Sequence, residues 1–307
     1  MVRRKVPDIS AGGISVVVVT YNSERHIRAC LSSLLAALER LQAEVVVIDN
    51  ASSDGTCAVV EEIAADASTP VRLVRNAENA GFTKAANQGL VSSIGQYVLL
   101  LNPDVVVRSN TIRSLVDYLE QNPGVGMVAP QLRFPEGRIQ PSCRRFPRRL
   151  DVLFELVGLS RLFPRSKVFN RWKMGDFDHL TPREVDQPQG AFLLARREAV
   201  RSVGPLDERF VLFFSDVDWC RRFWEKGWPV VFRPEVYAIH HKGASVYAHR
   251  VSALVASHRD FVAYFRKYPS RLPLVDLGTR LVLLVALWPR VAWALVSRCA
   301  RHGKGEA

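Results

Sequence analysis

No two cysteines in this chain are spaced as CxxC. Its five, Cys30, Cys57, Cys143, Cys220 and Cys299, are scattered and odd in number. That pattern excludes a zinc site and a disulfide framework, and it suits a reducing cytosol. Glycine is missing from the turn TYNSERH (20–26), which follows the first apolar run. A dinucleotide-binding GxGxxG turn and a Walker loop both need glycine at such a place, so both are excluded here. Long apolar runs are missing too. The uncharged stretch Leu281–Pro289, bracketed by Arg280 and Arg290, is far below the ~20 residues of a spanning helix. The basic start MVRRKVPDISAGG is followed by no apolar h-region, so no secretory leader is expected. There is no internal repeat and no low-complexity tract.

What is present is a chain of 307 residues, 48% hydrophobic and 23% charged, able to bury a core of one large domain or two ordinary ones. The formal net charge is +12. Residues 133–173 carry 11 Lys/Arg against 3 acids and residues 259–304 carry 9 against 2. Two basic segments on a near-neutral body point to a face that meets phosphates, of nucleic acid or of a membrane and its lipid-linked molecules.

The first ~130 residues alternate between strand and helix patterns. ISVVVVT (14–20), EVVVIDN (44–50), VRLVRN (71–76) and QYVLLLN (96–102) are apolar runs of strand length. Between them lie helical stripes such as Ile27, Leu31, Leu34, Leu38 and Leu41, with Ser23 as a candidate cap. This alternation predicts a mostly parallel sheet wrapped by helices, an α/β fold whose ligands bind beyond the carboxyl ends of the strands. Those ends are Thr20-Tyr21-Asn22, Asp49-Asn50, Arg75-Asn76 and Asn102-Pro103-Asp104. Four converging polar ends predict a site.

Residues 131–185 are rich in Pro, Arg and aromatics without a clear period, and are expected to form loops and short helices over one face. GAFLLARREAV (190–200) reads as a strand then a helix, PVVFRPEVYAIHH (229–241) as two short strands, and FVLFFSDVDWCRR (210–222) as a buried strand ending in two carboxylates. Ser215 and Asp218 match a capping box, which accounts for Asp218 structurally but leaves Asp216 without a local role. Trp219 reads either as core or as a stacking platform for a sugar. The tail 272–304 reads as an interfacial helical segment with Trp and Arg anchors, or as a helix packed on the domain.

The motifs VVVTYNS (17–23), VVIDNASSDGT (46–56), RNAENAGFTKAANQG (75–89), YVLLLNPDV (97–105), GAFLLARRE (190–198) and GPLDERFVLFFSDVDWCRR (204–222) occur in this order. Together they resemble glycosyltransferase family 2, of GT-A fold, in its branch of bacterial rhamnosyltransferases, over about residues 14 to 245. The resemblance implies a nucleotide-sugar-binding half (14–130) and an acceptor-binding, catalytic half (131–258), with a basic tail at 1–13 and a basic, apolar membrane-associating helical segment at 259–307. It places Thr20, Tyr21, Asn22, Asn79 and Asn87 at the donor, Asp49 against its pyrimidine base, and Asp104 on a divalent metal, Mg²⁺ or Mn²⁺, with Asn102 in place of the first DxD acid. Such hard cations prefer one or two carboxylates plus substrate phosphates. His240 stands where the family has a histidine beside the metal. Asp216 matches the catalytic base of an EDxD motif whose glutamate is here Ser215. Gly190, Ala191, Asp218 and Trp219 fall at the acceptor.

The implied activity is inverting, metal-dependent transfer of a hexose, L-rhamnose from dTDP-L-rhamnose, to a lipid-linked or growing cell-envelope glycan. Its partners would be the nucleotide-sugar donor, a glycan or polyprenyl-diphosphate acceptor and the membrane surface, with no nucleic acid. The enzyme would lie peripherally on the cytoplasmic side of a bacterial inner membrane, with its tail either at the bilayer or closing a homodimer. The residues alone leave other readings open. They are another family 2 donor (GlcNAc, galactosyl or glucosyl), a sugar-nucleotide nucleotidyltransferase and a basic nucleic-acid-binding module.

Overall fold

The computed structural model describes residues 13–241 and 250–302. The calls on residues 1–12 lie outside them. Its first half is built as the alternation predicts. Strands β1 (Ile14–Thr20), β2 (Ala43–Asp49), β3 (Val71–Arg75) and β4 (Tyr97–Leu101) alternate with helices α1 (Glu24–Leu38), α2 (Thr56–Asp66) and α3 (Phe82–Ser92). All four strands run parallel, in the order β3-β2-β1-β4. Both faces are covered, which is why these strands read as unbroken apolar runs. Val16 and Val18 enter the core under α1, whereas Val17 enters the core under α3, as the period of two requires. On the first face Ile27, Leu31 and Leu34 of α1 are fully buried, each contributing about 1.5–3 kcal/mol. Glu44 is a buried acid near the start of β2. It is satisfied by the Ser15 hydroxyl (2.6 Å) and the Ile94 amide (3.0 Å).

The second half extends the same sheet. Short β5 (Val105–Val107), helix α4 (Thr111–Gln121) and β6 (Met127–Arg133) are followed by small elements: β7 (Ile139–Gln140), β8 (Cys143–Arg144), α5 (Arg149–Leu156), α6 (Leu159–Leu162), β9 (Arg183–Glu184) and β10 (Gln187–Pro188). Then come β11 (Phe192–Arg196), α7 (Arg197–Val203), α8 (Ser215–Glu225) and β12 (Val230–His240). The main sheet continues β4-β11-β6-β12-β5, with β11 antiparallel to both neighbours. The start of β11 therefore shares a rim with the ends of the parallel strands. β12 runs parallel to β6, so its last residue, His240, reaches that rim as well.

Four expectations change. Residues 210–214 bend instead of forming a strand, and Val211 and Leu212 are exposed. The stretch 230–240 is one strand, not two; its register shifts between Arg233 and Tyr237, which accommodates Pro234. The division at 130/131 falls inside β6. The division at 258/259 falls inside a helix, α9 (Arg250–Lys267), whose Tyr264 and Phe265 are buried against Phe210, Phe214 and Val217. The tail is a single helix, α10 (Pro273–His302), that packs Leu283 into the same cluster. No helix among the described residues is long and apolar enough to cross a membrane.

Candidate functional site

The rim carries, in strand order, Asn76, Asp49-Asn50, Thr20 to Asn22, Asn102 to Asp104, and the Gly190 that enters β11. At about 4.8 Å per strand step, the three steps from β2 to β11 span roughly 14 Å.

At the donor end the two loops after β1 and β2 are knitted together. Asn22 (φ 49) and Ala51 (φ 63) both take left-handed backbone, a conformation Asn tolerates through its short polar side chain. The Asn22 amide donates to Ser52 Oγ (2.9 Å), and its Oδ1 accepts the Ser53 amide (2.8 Å). Ser23 N donates to Thr56 Oγ1 (2.8 Å), and Glu24 N to Asp54 (3.2 Å). The DNASSDGT motif thus builds a fixed loop. Asp49 lies beneath it, 2% exposed. Its carboxylate accepts from Thr20 Oγ1 (3.0 Å), Ser52 Oγ (2.5 Å) and Ser52 N (2.9 Å). Tyr21, Asn22 and Asn79 are exposed on the rim. Asn79 orders its loop by accepting from Asn50 (2.8 Å) and Gly81 N (3.0 Å).

Asn87 is placed differently from the expected pocket wall. It is buried on α3, donating to Leu206 O (2.9 Å) and Glu208 (3.1 Å) and accepting from Leu206 N (2.9 Å). All its polar capacity goes into holding the loop before α8.

The antiparallel pairing of β5 with β12 sets His240 opposite Val105, and His241 N donates to Asp104 O (2.9 Å). His240 Nε2 and Asp104 Oδ1 consequently stand 3.4 Å apart. The other ring nitrogen, Nδ1, meets Gln140 Oε1 at 2.8 Å. With the proton on Nδ1 and donated to Gln140, Nε2 offers a lone pair toward a carboxylate oxygen that is itself buried and without a hydrogen-bond partner. Two acceptors aimed at one place, with the ring oriented by a second residue, is the chemistry of a cation site. Among the described residues no three His, Cys, Asp or Glu cluster to hold a metal. A cation here would need its remaining oxygens from a bound ligand.

Across the rim Asp216 opens α8. Its Oδ2 accepts from Gly190 N (2.9 Å) and Gln187 Nε2 (3.0 Å), and its Oδ1 from Val217 N (2.9 Å). Burial pushes its carboxyl above the ordinary carboxylate range, against the pull of the Gly190 and Val217 amides and Gln187. The absence of a side chain on Gly190 matters, since a Cβ there would meet Asp216 at 3.0 Å. Ala191 is buried, and its carbonyl accepts from Asn102 N (3.0 Å), tying β11 to the end of β4. Asp216 is thus a partly exposed carboxyl with a raised proton affinity, held one strand from Asn102.

Asp218 and Trp219 do not face the cleft. The helix begins with Phe214 as its cap (φ 64), so the expected Ser215–Asp218 capping box does not form. Asp218 is fully buried and binds Arg222 (2.8 Å), Lys267 (2.6 Å) and the Tyr268 hydroxyl (2.8 Å). Trp219 is fully buried in the core, its indole N–H donated to Gly204 O (3.0 Å). Neither offers a face to an acceptor. Sequence reasoning missed Gln140, Gln187 and Asp260. Asp260 on α9 accepts from Phe213 N (2.9 Å) and holds the bend before α8. The two glutamines lie in aperiodic chain, and the acid acts from 47 residues away, so no local signal marks any of the three.

Comparison with known proteins agrees with this geometry. The family model "Glycosyl transferase family 2" matches residues 15–202. The N-acetylglucosaminyl-diphospho-decaprenol L-rhamnosyltransferase of Mycobacterium tuberculosis is 31% identical over 260 residues, covering 80% of this chain and 81% of that one. Among solved structures, the mannosyltransferase PcManGT of Pyrobaculum calidifontis, in complex with GDP-Man and Mn²⁺, aligns with TM-score 0.58 at 22% identity, over 96% of this chain and 77% of that one. Staphylococcus aureus TarS 1–349 in complex with UDP-GlcNAc aligns with TM-score 0.53 at 18% identity, over 90% and 71%. At these identities the two structures speak for the GT-A fold alone, and with the family match they establish that this chain belongs to glycosyltransferase family 2.

Proposed function

We propose that the protein transfers a hexose, L-rhamnose from dTDP-L-rhamnose, with inversion, to a polyprenyl-diphosphate-linked glycan at the cytoplasmic face of a bacterial inner membrane. The observation that carries this reading is the placement of Asp216, a carboxyl of raised proton affinity, across one rim from the Asp104–His240 pair. The named activity of the mycobacterial relative supports the choice of sugar and acceptor.

The donor lies along the loops after β1 and β2, its base and ribose framed by Tyr21, Asn22 and Asn79 over the buried Asp49. Asp104 and His240 would hold Mg²⁺ or Mn²⁺, with Gln140 fixing the imidazole. When bound, the cation offsets the charge that develops on the departing diphosphate. Asp216 accepts the proton of the acceptor hydroxyl as that oxygen attacks the anomeric carbon from the face opposite the diphosphate. Its raised affinity suits it to this task, because a base is most effective when its pKa approaches the working pH. The Gly190 and Val217 amides and the Gln187 amide keep it oriented while the proton arrives. Because the acceptor oxygen itself attacks opposite the departing diphosphate while Asp216 takes its proton, no covalent glycosyl intermediate is formed, and the product is inverted.

The test is a donor panel. The protein is incubated with dTDP-, UDP- and GDP-sugars, Mg²⁺ or Mn²⁺, and a polyprenyl-diphosphate-GlcNAc acceptor, and released nucleoside diphosphate is measured. Release from dTDP-L-rhamnose that depends on the acceptor is expected. Release from a different sugar nucleotide reassigns the donor. Pyrophosphate instead of nucleoside diphosphate refutes sugar transfer altogether.

A further inference from the structure

The segment between β8 and β10 has its polarity inside out. Its stem is zipped shut: Arg145 N donates to Trp172 O (2.9 Å) and Arg171 Nη2 to Phe146 O (2.7 Å). Between these points the chain leaves the body as α5, a left-handed Gly158 (φ 82) and α6. A helical excursion on a water-exposed surface normally turns its acids outward and its leucines inward. Here the acids turn in. Asp151 is 5% exposed and accepts from Arg171 (2.9 Å) and Arg148 N (2.8 Å). Glu155 accepts from Lys173 (2.6 Å) and the Ser160 hydroxyl (2.5 Å), and Ser160 is 6% exposed. Meanwhile Leu150 is 62%, Val157 60%, Leu162 70% and Val168 61% exposed, with Leu153 and Phe163 also in the open. Six large apolar side chains stand exposed within about twenty residues, a density of exposed apolar surface that marks a docking surface.

Charge decides what docks. Asp151 and Glu155 are the only acids between residues 148 and 168, and both are neutralised inward by Arg171 and Lys173. The exposed charges left around the apolar tip are Arg148, Arg161, Arg165 and Lys167, all cationic. An apolar tip whose own exposed charges are all cationic is complementary to a layer with anionic headgroups outside and acyl chains beneath. The first turn of α10 lies beside it, because Asp276 accepts from Arg149 Nε (2.6 Å). The outward face of that helix continues the pattern with Leu274, Leu277, Leu281, Val285 and Trp288 exposed.

We infer that the 149–168 excursion is a membrane wedge that inserts its leucines into the headgroup–acyl boundary of an anionic leaflet. Its stem shows why it stands where it does. β8, from which the excursion springs, pairs with β10, and Gln187 of β10 donates to Asp216. The ribbon from which the wedge springs thus also helps orient the proposed base. Resting on the acceptor class proposed above, the wedge sets the height of Asp216 over the bilayer, where the diphosphate of a lipid-linked acceptor emerges.

The test uses the full chain in vesicle co-sedimentation without donor or acceptor, comparing phosphatidylcholine vesicles with vesicles containing phosphatidylglycerol. The wild type is expected to bind the anionic vesicles at least tenfold more tightly, and less tightly at high salt. L150E/L162E and R161E/R165E/K167E should each lose tenfold or more of that binding, while circular dichroism and thermal melting stay unchanged and donor affinity is retained. Equal binding of wild type and both variants overturns the wedge, as does loss of binding only on L281E/V285E, which would leave docking to the tail alone. Dimerisation abolished by L150E/L162E, with vesicle binding intact, overturns it in favour of a second copy of the chain. Vesicle binding uses no substrate, so a failed donor panel with intact wedge-dependent binding refutes the sugar transfer and leaves the wedge standing.

Discussion

Replacing Asp216 by asparagine keeps the shape of the side chain and removes its capacity to accept a proton. The amide oxygen can still accept from Gly190 N, now at 2.9 Å from Oδ2, so the tie between α8 and the start of β11 is preserved, while the amide nitrogen in place of Oδ1 gives up the bond from Val217 N. Positioned general bases typically contribute 10²- to 10⁴-fold, and at about 1.4 kcal/mol per decade that is roughly 3–5.5 kcal/mol of barrier. The rate of acceptor-dependent diphosphate release should fall by that factor, with donor affinity by titration unchanged, because the proposed donor contacts lie on the loops after β1 to β3. Stability should move the other way. Burial raises the folded carboxyl above its ordinary value of 3.8. Between those two values the folded chain therefore binds more protons than the unfolded one, and stability falls as pH rises through that window. At neutral pH the ionised carboxylate is the penalised state, so D216N should melt above the wild type there and lose that advantage below pH 3.8. The acid limb of the wild-type rate should titrate above the ordinary carboxylate range. A variant that retains more than a tenth of the wild-type rate, with the same acid limb, removes Asp216 from the chemistry.

Three further outcomes are expected. Burial pushes the His179 imidazole down to about 4, where its Nε2 accepts from Cys143 N at 3.1 Å. The folded chain binds fewer protons between about 4 and 6.5. Stability held above pH 6.5 is thus lost toward pH 4, by up to about 3 kcal/mol at 1.36 kcal/mol per unit, and H179Q should flatten that slope in melting curves. D104N removes the carboxylate that faces His240, and the rise in melting temperature on adding Mn²⁺ with dTDP should shrink to that of dTDP alone; an undiminished Mn²⁺ effect places the cation elsewhere. W219A empties a fully buried core position and should cost about 3–5 kcal/mol in denaturant unfolding, whereas the folded fraction should keep its affinity for the acceptor, since the indole does not reach the cleft.

The first half was legible because its physics is local. A parallel strand covered on both faces must be apolar throughout, and a rim that binds a ligand must turn polar where the strand ends. Both signals sit in consecutive residues, from Val16 to Asn22 and from Val45 to Asn50. FVLFF (210–214) shows how the same signal misleads. It has the length and apolarity of a strand, but its backbone is satisfied by the Asp260 carboxylate, which accepts from Leu212 N and Phe213 N, instead of by a ladder. Asp218 failed as a capping residue for a similar reason. Its partners Lys267 and Tyr268 lie on and just after another helix, 49 and 50 residues onward, beyond the reach of any local pattern. PVVFRPEVYAIHH reads as two short strands, whereas it forms one, in which a register shift between Arg233 and Tyr237 absorbs Pro234.

The position of Asp216 also depends on chain that the family model does not cover. The match ends at residue 202, before α8, β12 and α9. Phe214, the residue that turns the chain into α8, holds φ 64, a conformation that costs a bulky residue about 1–3 kcal/mol. α9 supplies what offsets it. Phe261 packs edge-on against the Phe214 ring at 4.4 Å and Tyr264 at 5.3 Å, while Asp260 holds the two amides just before it. Lys267 and Tyr268 then grip Asp218, one turn along the same helix. A strained entry into α8 with a buried ionic clamp behind it fixes the carboxyl at position 216 from two sides. The polar ends of the parallel strands form one side of the rim, and the C-terminal helices, far away in sequence, set where the carboxyl at position 216 stands.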